Sequence, residues 1–130
     1  MTSARDHLVL IVDDNDKNMR LARDVLSLAG FQTIEAASGA EGVSLALEHL
    51  PDLVLMDIRL PDMDGTEAAR RLKDNERTAP IPIVALTSLA MKGDREWLLA
   101  AGFDGYLEKP ISVRAFPDQI RAYCSDARPE

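Results

Sequence analysis

Short apolar runs alternating with stretches of helical period constrain this chain more than any other feature. Leu8-Val9-Leu10-Ile11-Val12 is a continuous apolar run of strand length, the pattern of a strand covered on both faces. Met19, Leu21, Ala22, Val25, Leu26, Leu28 and Ala29 then recur at helical spacing, and Gly30 supplies a stop. Phe31 to Ala36 reads as a weaker second strand. Ser38-Gly39-Ala40-Glu41 reads as a capping box opening a second helix, with Ala40, Val43, Leu47 and Leu50 on one face. Pro51 breaks the chain before a third strand, Leu53 to Met56, and Asp64 followed by Glu67 marks a third helix start. A fourth strand, Ile83 to Leu86, follows Pro80 and Pro82. A helix over Gly93 to Ala101, a short strand near Gly105 to Leu107 and a last helix between Ser112 and Tyr123 complete the series. Five βα units imply a parallel sheet with helices on both faces. Strand order is not fixed at this level.

Composition narrows the class. A chain of 130 residues without repeats or a change of composition fits one domain, with a core over about residues 7–123 and a short C-terminal tail. Fifteen basic against 22 acidic residues give a net charge of -7 with no basic block, which argues against nucleic-acid binding. Cys124 is the sole cysteine, so no intrachain disulfide can form. No apolar run approaches the ~20 residues of a membrane span, and Met1 to His7 lacks a signal peptide's apolar core. A soluble, cytoplasmic protein without membrane contact is expected.

The chemistry sits where the apolar runs stop. The first run ends in Asp13-Asp14, the third in Asp57, the fourth in Thr87-Ser88, and the fifth in Lys109-Pro110. In an open parallel sheet the carboxyl ends of the strands line one edge, and ligands bind in the crevice there. Three acids converging in that crevice would repel one another unless a cation relieves them. Mg²⁺ suits such a set, because it takes oxygen ligands from few carboxylates and retains water. Asp57 is the candidate nucleophile: an aspartate accepts a phosphoryl group when a metal and a cation neutralise the crowded oxygens. A hydroxyl at Thr87 could donate to a phosphoryl oxygen, and Lys109 could neutralise it as a point charge. Tyr106 is expected half-buried on an edge strand. Each residue also has an ordinary reading: a solvated turn for Asp13-Asp14, a cap for Asp57, a strand-finishing β-branched residue for Thr87, a solvated lysine and a core aromatic.

Together, Asp13-Asp14, the string Asp57-x-x-Leu60-Pro61-x-Met63-Asp64-Gly65, Thr87-Ser88 and Lys109-Pro110 resemble the receiver domains of two-component response regulators, over roughly Leu8 to Tyr123. The stretches Ala85 to Glu96 and Lys109 to Ser112 look like the stand-alone DivK-type receivers. The resemblance implies a flavodoxin-like α/β fold, (βα)5 and doubly wound, with strand order 2-1-3-4-5. It implies that Asp57 takes a phosphoryl group from a phosphohistidine on a sensor histidine kinase or histidine phosphotransfer protein. Asp14, Asp57 and the backbone carbonyl of Arg59 would ligate Mg²⁺, with Asp13 acting through water. Thr87, Ser88 and Lys109 would contact the phosphoryl group, and the Lys109-Pro110 bond would be cis. Thr87 and Tyr106 would switch together and remodel the face of the fourth helix, fifth strand and fifth helix toward a downstream protein target. Such a domain is no enzyme beyond its own phosphoryl transfer and slow autodephosphorylation. Arg59 and Leu89, two positions beyond Asp57 and Thr87, are expected to set phosphoryl lifetime by controlling water access.

Other readings fit less well. A haloacid-dehalogenase-type enzyme wants a second acid two residues after the nucleophile, where this chain has Arg59. The P-loop string is absent, and His7 and His49 are poorly placed for a Ser-His-Asp set. The competing function is a receiver-shaped scaffold that docks partners without phosphorylation. Pro117 departs from a smooth last helix, since an interior proline costs about 3 kcal/mol. Either Ser112 to Phe116 is irregular and Pro117 opens the helix, or the first turn is distorted.

Overall fold

A computed structural model describes residues 7–87, 94–108 and 111–126. The alternation of the sequence becomes β1 (Leu8–Val12), α1 (Asp16–Leu28), β2 (Gln32–Ala36), α2 (Gly39–His49), β3 (Leu53–Asp57), α3 (Gly65–Lys73), β4 (Ile83–Thr87), α4 (Asp94–Ala100), β5 (Gly105–Glu108) and α5 (Phe116–Asp126). All four strand pairings are parallel and the order is β2-β1-β3-β4-β5, as the resemblance implied. Successive residues of a strand point to opposite faces, so each apolar run feeds two cores. Val9, Ile11, Leu53, Leu55, Val84 and Leu86 meet Met19, Ala22, Val25 and Leu26 of α1 and Phe116, Ile120 and Cys124 of α5. Leu10, Val12, Val54, Met56, Ile83 and Ala85 meet Ala46, Ala68, Ala69, Leu72 and Leu98 of α2, α3 and α4. The sheet is therefore sealed on both sides, which explains runs that are apolar throughout.

Local chemistry sets several helix ends. Asn15 accepts from the Asn18 amide at 3.0 Å to start α1, and Gly30 follows that helix at φ +97. Ser38 Oγ accepts from the Glu41 amide at 3.2 Å, and Glu41 reaches back to the Ala37 amide at 3.0 Å, one residue earlier than in the usual capping box. Thr78, fully buried, donates to the Leu72 carbonyl at 2.6 Å and closes the end of α3.

Two helical faces differ from the sequence reading. In α2 the buried residues are Gly39, Gly42 and Ala46, while Ala40 and Leu50 are exposed. A Cβ on Gly42 would lie 2.9 Å from Val12 Cγ2, so the helix approaches β1 through its small residues, with Val43 and Leu45 packed partly buried beside them. In α1, Leu21 and Leu28 lie on the outer face, Leu28 at 90% exposure. The Pro117 alternatives also resolve. The Phe116 amide donates to the Ser112 carbonyl at 2.8 Å and the Ala115 amide to Ser112 Oγ at 3.2 Å, one helical turn ahead of α5. Pro117 has no N–H to extend that ladder, and α5 proper begins at Phe116, with the proline in its first turn, where it is tolerated.

Candidate functional site

Sheet register brings the strand-end acids together. Val12 pairs with Met56 across β1 and β3, so the next residues, Asp13 and Asp57, leave the sheet side by side. Asp57 pairs with Leu86, which puts Thr87 one step further along the neighbouring strand end. Asp13, Asp14 and Asp57 each offer a carboxylate oxygen within 4.8 Å of the others. Asp13 and Asp57 are buried, at 2% and 7% exposure, whereas Asp14 faces solvent. Two of the three acids are walled in, and the third is open to solvent.

Backbone amides fix the two buried carboxylates. Asp13 Oδ1 accepts from the Asn15 amide at 2.9 Å, and Asp57 Oδ1 from the Arg59 amide at 3.1 Å, each an Asx-type turn that bends the chain away from its strand. The β3–α3 loop folds back tightly. Arg59 and Asp64 form an antiparallel bridge, and the Gly65 amide donates to the Ile58 carbonyl at 2.6 Å. A Cβ on Gly65 would collide with the Asp57 carbonyl oxygen and lie 2.9 Å from Ile58 Cα. Only glycine lets the start of α3 rest against the backbone of Asp57. The sequence marked Asp64-Gly65 as a helix start but gave no sign of this approach.

Asp62, unremarked in the sequence, spans to α2. Its Oδ1 accepts from the Gly39 amide at 2.8 Å and its Oδ2 from the Ala40 amide at 3.0 Å. Those bonds, Ala40's first and then Gly39's, hold its carboxyl below the usual carboxylate range. Tyr106 is half-buried on the edge strand β5, paired with Ala85, as anticipated. It lines a groove of about 310 Å³ with Leu98, Leu99 and Tyr123, between α4 and α5. His7 precedes β1, at the opposite end of the strand from Asp13, where its ring stacks on Phe31. Ser88, Leu89, Lys109 and Pro110, and with them the cis peptide, lie outside the described residues.

The donor set fits a hard divalent cation. Three carboxylates supply oxygen only, and two are already oriented by hydrogen bonds, which favours Mg²⁺ over softer metals that want nitrogen or sulfur.

The family model for the response regulator receiver domain matches residues 9–121. This chain belongs to that family. The receiver is 48% identical over 119 residues to the polar-differentiation response regulator DivK of Brucella ovis, covering 92% of this chain and 97% of that protein. DivK of Brucella anthropi is 46% identical over the same length. Among solved structures, a response regulator from Chloroflexus aurantiacus superposes with a TM-score of 0.86 at 30% identity, covering 92% of this chain and 98% of the other. The receiver domain of a Pseudomonas aeruginosa sensor histidine kinase gives 0.84 at 34% identity, again covering 92% and 98%, and carries a magnesium ion coordinated in its active-site cleft. This receiver is thus a signalling module of two-component systems with the flavodoxin-like fold. Among the described residues, no helix is long and apolar enough to cross a membrane.

Proposed function

We propose that this receiver accepts a phosphoryl group on Asp57 with the help of Mg²⁺ and relays the change to a protein partner. The observation that carries the reading is the meeting of three carboxylates within 4.8 Å at the carboxyl edge of the sheet. Asp14, Asp57 and the Arg59 backbone carbonyl would hold the ion, with Asp13 acting through water. When bound, the ion draws charge off the phosphoryl oxygens and so eases the approach of an anionic nucleophile.

The chain's own residues do the rest. One carboxylate oxygen of Asp57 accepts from the Arg59 amide, and the other is the nucleophile in this reading. It attacks the phosphorus of a phosphohistidine on a sensor kinase or phosphotransfer protein. The new O–P bond forms as the P–N bond breaks, and the electron pair leaves on the imidazole nitrogen. Lys109, Thr87 and Ser88 receive the phosphoryl oxygens as cation and hydroxyl donors. Phosphorylation adds roughly -1.5 to -2 charge beside them. Thr87 moving toward that charge, with Tyr106 following, changes the α4–β5–α5 face offered to a downstream protein.

Binding of beryllofluoride, a phosphoryl mimic, in the presence of Mg²⁺ tests the reading. The wild-type receiver should take up one mimic per chain and the Asp57→Asn variant none. Equal binding by both, or none by the wild type, leaves the scaffold that docks without phosphorylation as the surviving account.

A further inference from the structure

The N-terminus of α2 is capped by two separate parts of the chain, and only one of them belongs to its own connection. The Glu41 amide goes to Ser38 Oγ at 3.2 Å and the Gly42 amide to the Ser38 carbonyl at 3.0 Å. The Gly39 and Ala40 amides go instead to the two oxygens of Asp62, 23 and 22 residues away, on the β3–α3 loop. Three of the amides that this helix start leaves open, those of Gly39, Ala40 and Glu41, are thereby satisfied, and two of the three go to a residue from the loop beside Asp57. Met63 seconds the contact, since a Cβ on Gly39 would lie 2.8 Å from Met63 Sδ. At its other end the same loop is tied by the Arg59–Asp64 bridge and the bond from Gly65 to Ile58. The segment carrying the Arg59 carbonyl is therefore held twice, once across its own base, where Ile58 and Arg59 meet Gly65 and Asp64, and once to α2.

We infer that Asp62 is a positioning residue for the metal site: its two-pronged grip on α2 holds the β3–α3 loop so that the Arg59 carbonyl is aimed at the cation. This rests on the Mg²⁺-assisted reading above. The geometry makes a contrast that a purely stabilising role does not. Ser38 and Asp62 cap the same helix, but of these two caps it is Asp62's that reaches the helix from the loop. Removing Ser38's cap weakens α2 and leaves both hydrogen bonds from the helix to the loop in place, whereas removing Asp62's carboxylate breaks them. Partners that orient a metal's ligands typically cost 10–100-fold in affinity when lost, and Asp62 acts on a backbone carbonyl through its loop, so about tenfold is expected.

Mg²⁺ affinity by isothermal titration, with amide exchange over residues 58–64, should be measured on the wild type and on Asp62→Ala, Asp62→Asn and Ser38→Ala, all well below their melting temperatures. The expected result is about tenfold weaker Mg²⁺ binding and faster loop exchange for Asp62→Ala, following the cost of lost ligand-orienting partners. Asp62→Asn, which keeps one acceptor oxygen, should fall between it and wild type. Ser38→Ala should lower the melting temperature yet bind Mg²⁺ like wild type. Unchanged affinity in Asp62→Ala, or an equal loss in Ser38→Ala, overturns the assignment. A wild type that binds no Mg²⁺ overturns the reading beneath it instead, so the two failures are told apart.

Discussion

Gly65→Ala sets two well-known effects against each other at the backbone of the phosphoacceptor candidate. Helix propensity alone favours alanine by about 0.8–1 kcal/mol in a helix interior, and by less at a first position such as this. Sterics oppose it. The added Cβ would collide with the Asp57 carbonyl oxygen and lie 2.9 Å from Ile58 Cα, and both are main-chain atoms with no rotamer to yield. Overpacking of that kind costs about 1–3 kcal/mol. Moving α3 outward to relieve it lengthens the 2.6 Å bond from the Gly65 amide to the Ile58 carbonyl, a further ~1 kcal/mol. The balance is a loss of about 2 kcal/mol, a factor of roughly 30 in the folding equilibrium. Urea denaturation should show a lower midpoint at unchanged slope. Stability equal to or above wild type would refute the argument that α3 rests on the backbone of Asp57.

Other outcomes follow from single contacts. Thr78→Val keeps shape but removes the buried hydroxyl that donates to Leu72 at 2.6 Å, and should cost about 1–2 kcal/mol by chemical denaturation; a neutral effect would mean the bond contributes nothing net. Asp62 has its folded-state pKa below its unfolded value, from the Ala40 and Gly39 amides first and with help from Arg71. Its contribution is present above the unfolded pKa and lost as pH falls through the folded one. The melting-temperature gap between wild type and Asp62→Asn should thus be wider at about pH 6 than at about pH 3; a gap independent of pH contradicts it. Arg59→Ala and Leu89→Ala should change the hydrolysis rate of the phosphorylated receiver, and unchanged rates in both remove their role in controlling water access.

Much of the site was legible because strand ends are legible. The apolar runs of β1 and β3 stop at Asp13 and Asp57, and parallel pairing of Val12 with Met56 then makes neighbours of residues 44 positions apart. Periodicity supplied the ends, and the family resemblance supplied the strand order that periodicity could not. Asp62 was hidden for a physical reason: its partners are backbone amides of a helix 22 residues upstream, and no side-chain pattern marks an amide. The face of α2 was misread because close packing inverts the usual rule. Gly39, Gly42 and Ala46 are buried for being small, which a search for large apolar residues passes over. The distortion at Pro117 was legible as a conflict, and the chain relieves it with a separate turn at Ser112.

Phosphotransfer followed by borohydride trapping tests the central claim most directly. A phosphohistidine donor and the receiver are mixed with and without Mg²⁺, and the reduced product is mapped by mass spectrometry. One phosphoryl group per chain at Asp57, lost on chelation of the metal and absent from Asp57→Asn, is the predicted result. Labelling at another residue, or transfer to Asp57 that proceeds equally well without the metal, would contradict the account.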